Sequence, residues 1–109
     1  MATTYKVLGQ SAPSATTLTT LYTVPAATSS IVSTITVANR AASAGTYRIA
    51  VRVAGASIAD SQYIIYDASL SATSTDTMTL GITLAATDVV SVFASTADFT
   101  FSAFGTELS

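Results

Sequence analysis

From Thr46 to Gly55 the chain reads TYRIAVRVAG, and its side chains alternate in character at almost every step. Tyr47, Ile49, Val51 and Val53 point one way; Arg48, Ala50 and Arg52 point the other. Successive side chains of a strand face opposite sides of its sheet, so the stretch predicts a strand with one buried and one wet face. Threonine and the β-branched aliphatics recur throughout, and they favour pleated, half-buried surfaces. Helical periodicity is almost absent. The apolar runs are short and separated by small polar clusters, about eight of them at a spacing of roughly 8–12 residues, as a sandwich or jelly roll requires. The expectation is an all-β chain: a single-domain antiparallel β-sandwich over residues 1–109, jelly-roll-like.

The runs place the elements. TYKVLGQ (Thr4 to Gln10) opens the series, and TLTTLYTVP stops at Pro25, which has no N–H for a ladder. SIVSTITVAN follows from Ser30 to Asn39, with Ile31, Ile35 and Val37 expected on one face. Asn39 to Gly45 is small and polar and reads as a hairpin into the next strand. QYIIYD (Gln62 to Asp67) is apolar on both faces, so it is either central or covered by a partner. In that strand Tyr63 and Tyr66 fall on opposite faces. TMTLGITL carries Gly81 at an expected bend or bulge. VVSVFAS and FTFSAFGTEL complete the set. Period-two alternation predicts a core of Val7, Ile35, Val37, Ile49, Val51, Ile65, Leu80, Val90, Val92, Phe99 and Phe101.

A chain of 109 residues holds enough surface to build one core without staples. It contains neither cysteine nor histidine, which removes disulfides, thiolate metal sites, Ser-His-Asp and Cys-His catalysis, and the usual pH switch. Charged residues make up 9% of the chain with a net charge of −2, and serine, threonine and alanine supply about half of it. No basic run suits a nucleic-acid backbone, and no segment reaches the roughly 18 apolar residues of a membrane span. The N-terminal residues lack the apolar region of a secretory signal, which predicts synthesis in the cytoplasm. A surface this poor in charge gives little protection against association, so neighbouring copies are expected.

The carboxylates Asp60, Asp67, Asp76, Asp88, Asp98 and Glu107 fall mostly at turns and strand ends, where capping is their common role. A pair for glycoside cleavage is the lesser alternative. No calcium loop and no phosphate-binding glycine loop occurs. No catalytic residue, cofactor or metal is therefore expected. The candidate contact residues are Arg48, Arg52, Tyr63 and Tyr66. Arg48 and Arg52 are two of four basic residues in the chain, share one face of one strand, and are expected to meet carboxylates on a neighbour. Exposed tyrosines anchor interfaces or stack on sugars.

The order of YKVLGQ, TTLYTVPA, STITVANR, TYRIAVRVAG, YIIYD, LGITLAATDVVSVFAS and FSAFGTEL resembles a family of small phage virion structural proteins, over nearly the whole chain. That resemblance implies no catalytic residues. It implies a capsid decoration or cement protein on the outer surface of the virion, bridging capsomers, with the major capsid protein as partner. A tail, neck or fibre subunit and a carbohydrate-binding host-adhesion module are the alternatives. The low surface charge together with QYIIYD, which lacks a wet face, predicts self-association as a homotrimer.

Overall fold

The computed structural model describes residues 2–109; Met1, the first residue of the expected domain, lies outside the described residues. Eight strands follow in chain order: β1 (Thr3–Ser11), β2 (Thr19–Thr23), β3 (Ser29–Asn39), β4 (Gly45–Arg52), β5 (Tyr63–Leu70), β6 (Thr75–Leu84), β7 (Val89–Ala94) and β8 (Phe99–Leu108). Two short 3-10 turns, Val53–Gly55 and Asp60–Gln62, occupy the connection from β4 to β5. The strands form two four-stranded sheets, ordered β1-β8-β3-β6 and β2-β7-β4-β5. The antiparallel pairs nest: β4 with β5, β3 with β6, β2 with β7, β1 with β8. A nested, folded-over pairing of eight strands in two sheets is a jelly roll, so the expected class and architecture are both found.

The loop after Asn39 departs from expectation. It joins β3 in one sheet to β4 in the other, so it is an arch across the sandwich and not a hairpin. Asn39 holds that arch. Its buried side chain donates from Nδ2 to the carbonyls of Ser43, Leu70 and Ser71, and its Oδ1 accepts the Ala41 N–H.

Ile35, Val37, Ile49, Val90, Val92, Phe99 and Phe101 are buried as expected, with Val51 and Ile65 packed at the margin. Val7 and Leu80 are corrections: they are 48% and 47% exposed. Ile31 is likewise outside, while Val32 is buried. The cause is a line of β-bulges crossing the whole β1-β8-β3-β6 sheet at one level. The registers shift at Leu8 in β1, at Ser33 in β3, and at Leu80 and Gly81 in β6. Each bulge puts two residues where alternation allows one, and every later side chain changes face. Leu8 therefore turns inward in place of Val7. Gly81, at φ +62, supplies the left-handed backbone that the β6 bulge needs.

Two tyrosine–carboxylate bonds bolt the sheets together. Tyr22 of β2 donates its hydroxyl hydrogen to Glu107 of β8 at 2.5 Å and lies 2.7 Å from the Ser30 hydroxyl of β3. Burial first, and then the neighbouring carboxylate, push the Tyr22 hydroxyl up to about 12. The same hydrogen bond holds the Glu107 carboxyl below its ordinary range, with a further bond from Lys6 at 3.2 Å. Tyr47 of β4 donates to Asp76 of β6 at 2.8 Å, and its ring packs on Phe99 and Phe101. Burial is the main reason its hydroxyl resists ionisation, with Asp76 adding to the effect.

Candidate interaction surface

Arg48 is the centre of the outer face of the β2-β7-β4-β5 sheet, and strand register explains its surroundings. On one side its cross-strand partner is Phe93 of β7. On the other side, Tyr47 pairs with Ala68 and Ile49 with Ile65, so Tyr66 and Asp67 of β5 together oppose Arg48 alone. That bulge rests on Asp67 at φ +51, a conformation that aspartate tolerates better than most residues. It presents both a ring and a carboxylate to one guanidinium. Arg48 Nε donates to Asp67 Oδ1 at 2.6 Å and Nη2 to Oδ2 at 3.3 Å. Its guanidinium carbon lies 4.1 Å from the Tyr66 ring centre and 4.4 Å from that of Phe93. Each contact suits a planar, delocalised cation. The hydrogen bond from Arg48 holds the Asp67 carboxyl below its usual value.

Tyr63 also faces outward, because a second register shift in β5 pairs it with Ala50. Its ring meets Tyr66 edge-on, with centres 5.0 Å apart. The expectation that Tyr63 and Tyr66 take opposite faces is thus corrected: the register shift at Ile64, between them, brings both to one side. Tyr66 is 59% exposed and Ile64 beside it is exposed too. An open recess of about 390 Å³ is lined by Asp60, Tyr63 and Tyr66. A larger open recess of about 440 Å³, lined by Gln10, Ser11, Ala12, Thr100, Phe101 and Ser102, lies away from this cluster and carries no ionisable side chain.

Arg52 shares the face but not the cluster. Its guanidinium donates to the Ala56 carbonyl at 2.8 Å and the Gly55 carbonyl at 3.0 Å, closing the turn after β4. Both arginines are therefore engaged within the chain: Arg48 by its own Asp67, Arg52 by backbone. That changes the expected role of Arg48, whose bidentate fork is filled before any neighbour arrives. Of the four candidate residues, Arg48, Tyr63 and Tyr66 come together, and Arg52 does not join them. Phe93 and Asp67 complete the cluster and were missed. A signal for Phe93 was present, since it alternates out of phase with the buried Val90 and Val92 in VVSVFAS.

Three of the other carboxylates are structural. Asp88 accepts the Ala54 N–H at 2.8 Å and the Ala85 N–H at 2.9 Å, tying two turns together. Asp76 and Glu107 serve the cross-sheet bonds. Among the described residues no three of His, Cys, Asp and Glu gather in a group that could hold a metal ion. No family model, no curated protein and no solved structure matches the chain.

Proposed function

We propose that this chain is a non-enzymatic structural protein of a phage particle, a decoration protein that binds the outer shell through the Arg48–Tyr63–Tyr66 surface. The observation that carries this reading is that surface. Tyrosine and arginine are among the residue types that dominate binding energy at interfaces. Here they are held in fixed geometry by a β-bulge, on an edge strand, with Ile64 beside them. A cluster already ordered in the free protein loses little side-chain freedom on binding. The resemblance of the chain to small phage virion proteins supplies the particle, and jelly rolls recur in capsid proteins, which is an analogy of fold. Such a protein bridges subunits of the major capsid protein. Each bridge exists only in the assembled shell, so binding stabilises the shell by linkage, and many modest contacts add through avidity.

The test mixes purified protein with undecorated shells and measures occupancy by imaging, for wild type and for Tyr66→Ala. Tyr66 is exposed, so its truncation leaves the fold intact. Saturable binding by wild type and a marked loss in Tyr66→Ala are expected. Absence of wild-type binding, together with absence of the chain from purified particles, overturns the reading.

The recess beside Tyr66 favours a second reading, a carbohydrate-binding module. Tyr63 and Tyr66 offer faces for a sugar ring, and Asp60 offers a carboxylate for its hydroxyls. Binding on a glycan array that Tyr66→Ala abolishes, without binding to shells, selects this reading over the first.

A further inference from the structure

Among the described residues, no charged side chain lies on the outer face of the β1-β8-β3-β6 sheet. The chain's ten lysine, arginine, aspartate and glutamate side chains lie elsewhere. Lys6, Asp76 and Glu107 belong to strands of this sheet, but their side chains serve its inner side: Asp76 and Glu107 accept hydrogen bonds from Tyr47 and Tyr22 of the opposite sheet, and Lys6 pairs with Glu107. Arg48, Arg52 and Asp67 belong to the other sheet, Asp60 to its β4–β5 connection, and Arg40, Asp88 and Asp98 to the loops that join the two sheets at the ends of the sandwich. What remains outward is hydroxyl and hydrocarbon. Ser102, Thr36 and Thr77 form one cross-strand row. In the middle of the sheet the line of bulges turns apolar residues out. Val7 pairs with Phe104, Leu80 stands at the β6 bulge opposite Ser33, and Thr106 lies between Tyr5 and Ile31. Tyr5, Val7, Ile31 and Leu80 are all exposed.

We infer that this face packs against the same face of a second copy of the chain, across a two-fold axis. This contact lies on the sheet opposite the Arg48 cluster and does not depend on a shell. Three arguments select a second copy. First, interface cores are depleted of charge relative to other surface, and this whole face is. Second, a charged partner surface would lose hydration here without gaining a counter-charge, so the occupant must itself be neutral. The chain presents such a surface, and a two-fold axis sets that surface against itself without like-charge repulsion. Third, the area suffices. Four strands at about 4.8 Å spacing and about ten residues at 3.3 Å each give roughly 600 Å² per copy. The pair thus buries about 1,200 Å², the lower end of specific interfaces. Two sheets packed this way align within about 30° and interdigitate, as layers of a sandwich do. A face that meets itself closes at two copies, so the expected assembly is a dimer in place of the trimer read from the sequence.

The test is the mass of the free protein by light scattering and sedimentation equilibrium, from micromolar to millimolar concentration. Wild type is expected to approach twice the 11.1 kDa chain mass. Leu80→Arg is expected to weaken the dimer by roughly a hundredfold or more, because the axis places each new charge in the contact twice. Ile31→Lys, on a different strand, should do the same, and circular dichroism checks that each variant keeps its fold. A neutral variant guards against misfolding: Leu80→Cys is the sole cysteine in the chain, and a spin label there should couple between copies. Tyr66→Ala, on the other sheet, should leave the dimer intact whether or not it abolishes shell binding. A monomer at every concentration, a trimer, or a dimer that survives both charged variants overturns the inference.

Discussion

Asn39→Asp exchanges one amide group for a carboxylate of the same size and shape. Asn39 is 2% exposed. Its Nδ2 donates to carbonyl oxygens of Ser43 at 3.0 Å, Ser71 at 3.2 Å and Leu70 at 3.3 Å, sharing two hydrogens among three acceptors. The carboxylate keeps the bond from the Ala41 N–H, 2.9 Å long in wild type, but turns an acceptor toward three acceptors. Each buried acceptor left without a partner costs about 1–3 kcal/mol, so two lost bonds cost about 2–6 kcal/mol before the burial of charge is counted. The whole stability of a domain is only about 5–15 kcal/mol. At about 4–8 °C per kcal/mol for a domain of this size, the melting temperature at neutral pH should fall by at least about 8 °C. Acid should restore part of the loss. Burial among carbonyls raises the folded-state pKa of the new carboxyl above its unfolded value of about 3.9. The penalty is then absent below the unfolded pKa and complete once the pH has risen through the folded one. The assay is thermal unfolding of both proteins across that range, read as the difference between them. A variant that melts with wild type at neutral pH, or a deficit that does not shrink in acid, would refute the reasoning.

Leu8→Ala should cost about 2–4 kcal/mol in denaturant unfolding while Val7→Ala costs almost nothing, the reverse of what uninterrupted alternation demands; equal losses would remove the β1 bulge. Tyr22→Phe should lose about 1.5–3 kcal/mol at neutral pH, the worth of a hydrogen bond to a charged group. Because the Glu107 carboxyl is lowered in the folded state, that bond is present above the ordinary glutamate value of about 4.3 and lost as pH falls through the folded value, so unfolding curves of the two proteins should converge in acid. In alkali, wild type alone should lose the contribution of Tyr22 as pH rises from about 10 towards its folded value of about 12. Gly105→Ala places a methyl group on the Ile31 carbonyl oxygen; overpacking of about 1–3 kcal/mol or more is expected, seen as a lower denaturation midpoint.

The two outer faces of the sandwich differ in the kind of contact they can make. The Arg48 surface offers fixed aromatic rings and a cation already paired, and a partner adds to an existing network. The opposite face offers no charged side chain among the described residues, so a partner there must match shape and bury hydrocarbon. The variants Leu80→Arg and Tyr66→Ala test the two proposed contacts separately.

Class and architecture were legible in the sequence because alternation is a local property: each strand carries its own record of which side is wet. The buried Val90, Val92, Phe99 and Phe101 needed nothing more than period two. The structural use of aspartates at turns was legible for the same reason, as Asp88 demonstrates. The bulges were not legible. One added residue leaves composition and local propensity unchanged, yet it moves every later side chain to the other face. Only pairing with neighbouring strands reveals it, and so Val7, Leu80 and Ile31 were assigned to the wrong side, and Tyr63 and Tyr66 to opposite faces. Gly81 was the exception, since a glycine inside a strand marks the left-handed backbone that a bulge requires. Contacts distant in sequence were equally out of reach. Asp67 lies 19 residues from Arg48 and Glu107 lies 85 from Tyr22. The alternating stretch at Thr46–Gly55 determined that Arg48 would stand on the outer face; the bulge in β5, a property of two strands together, decided that it would stand there already paired.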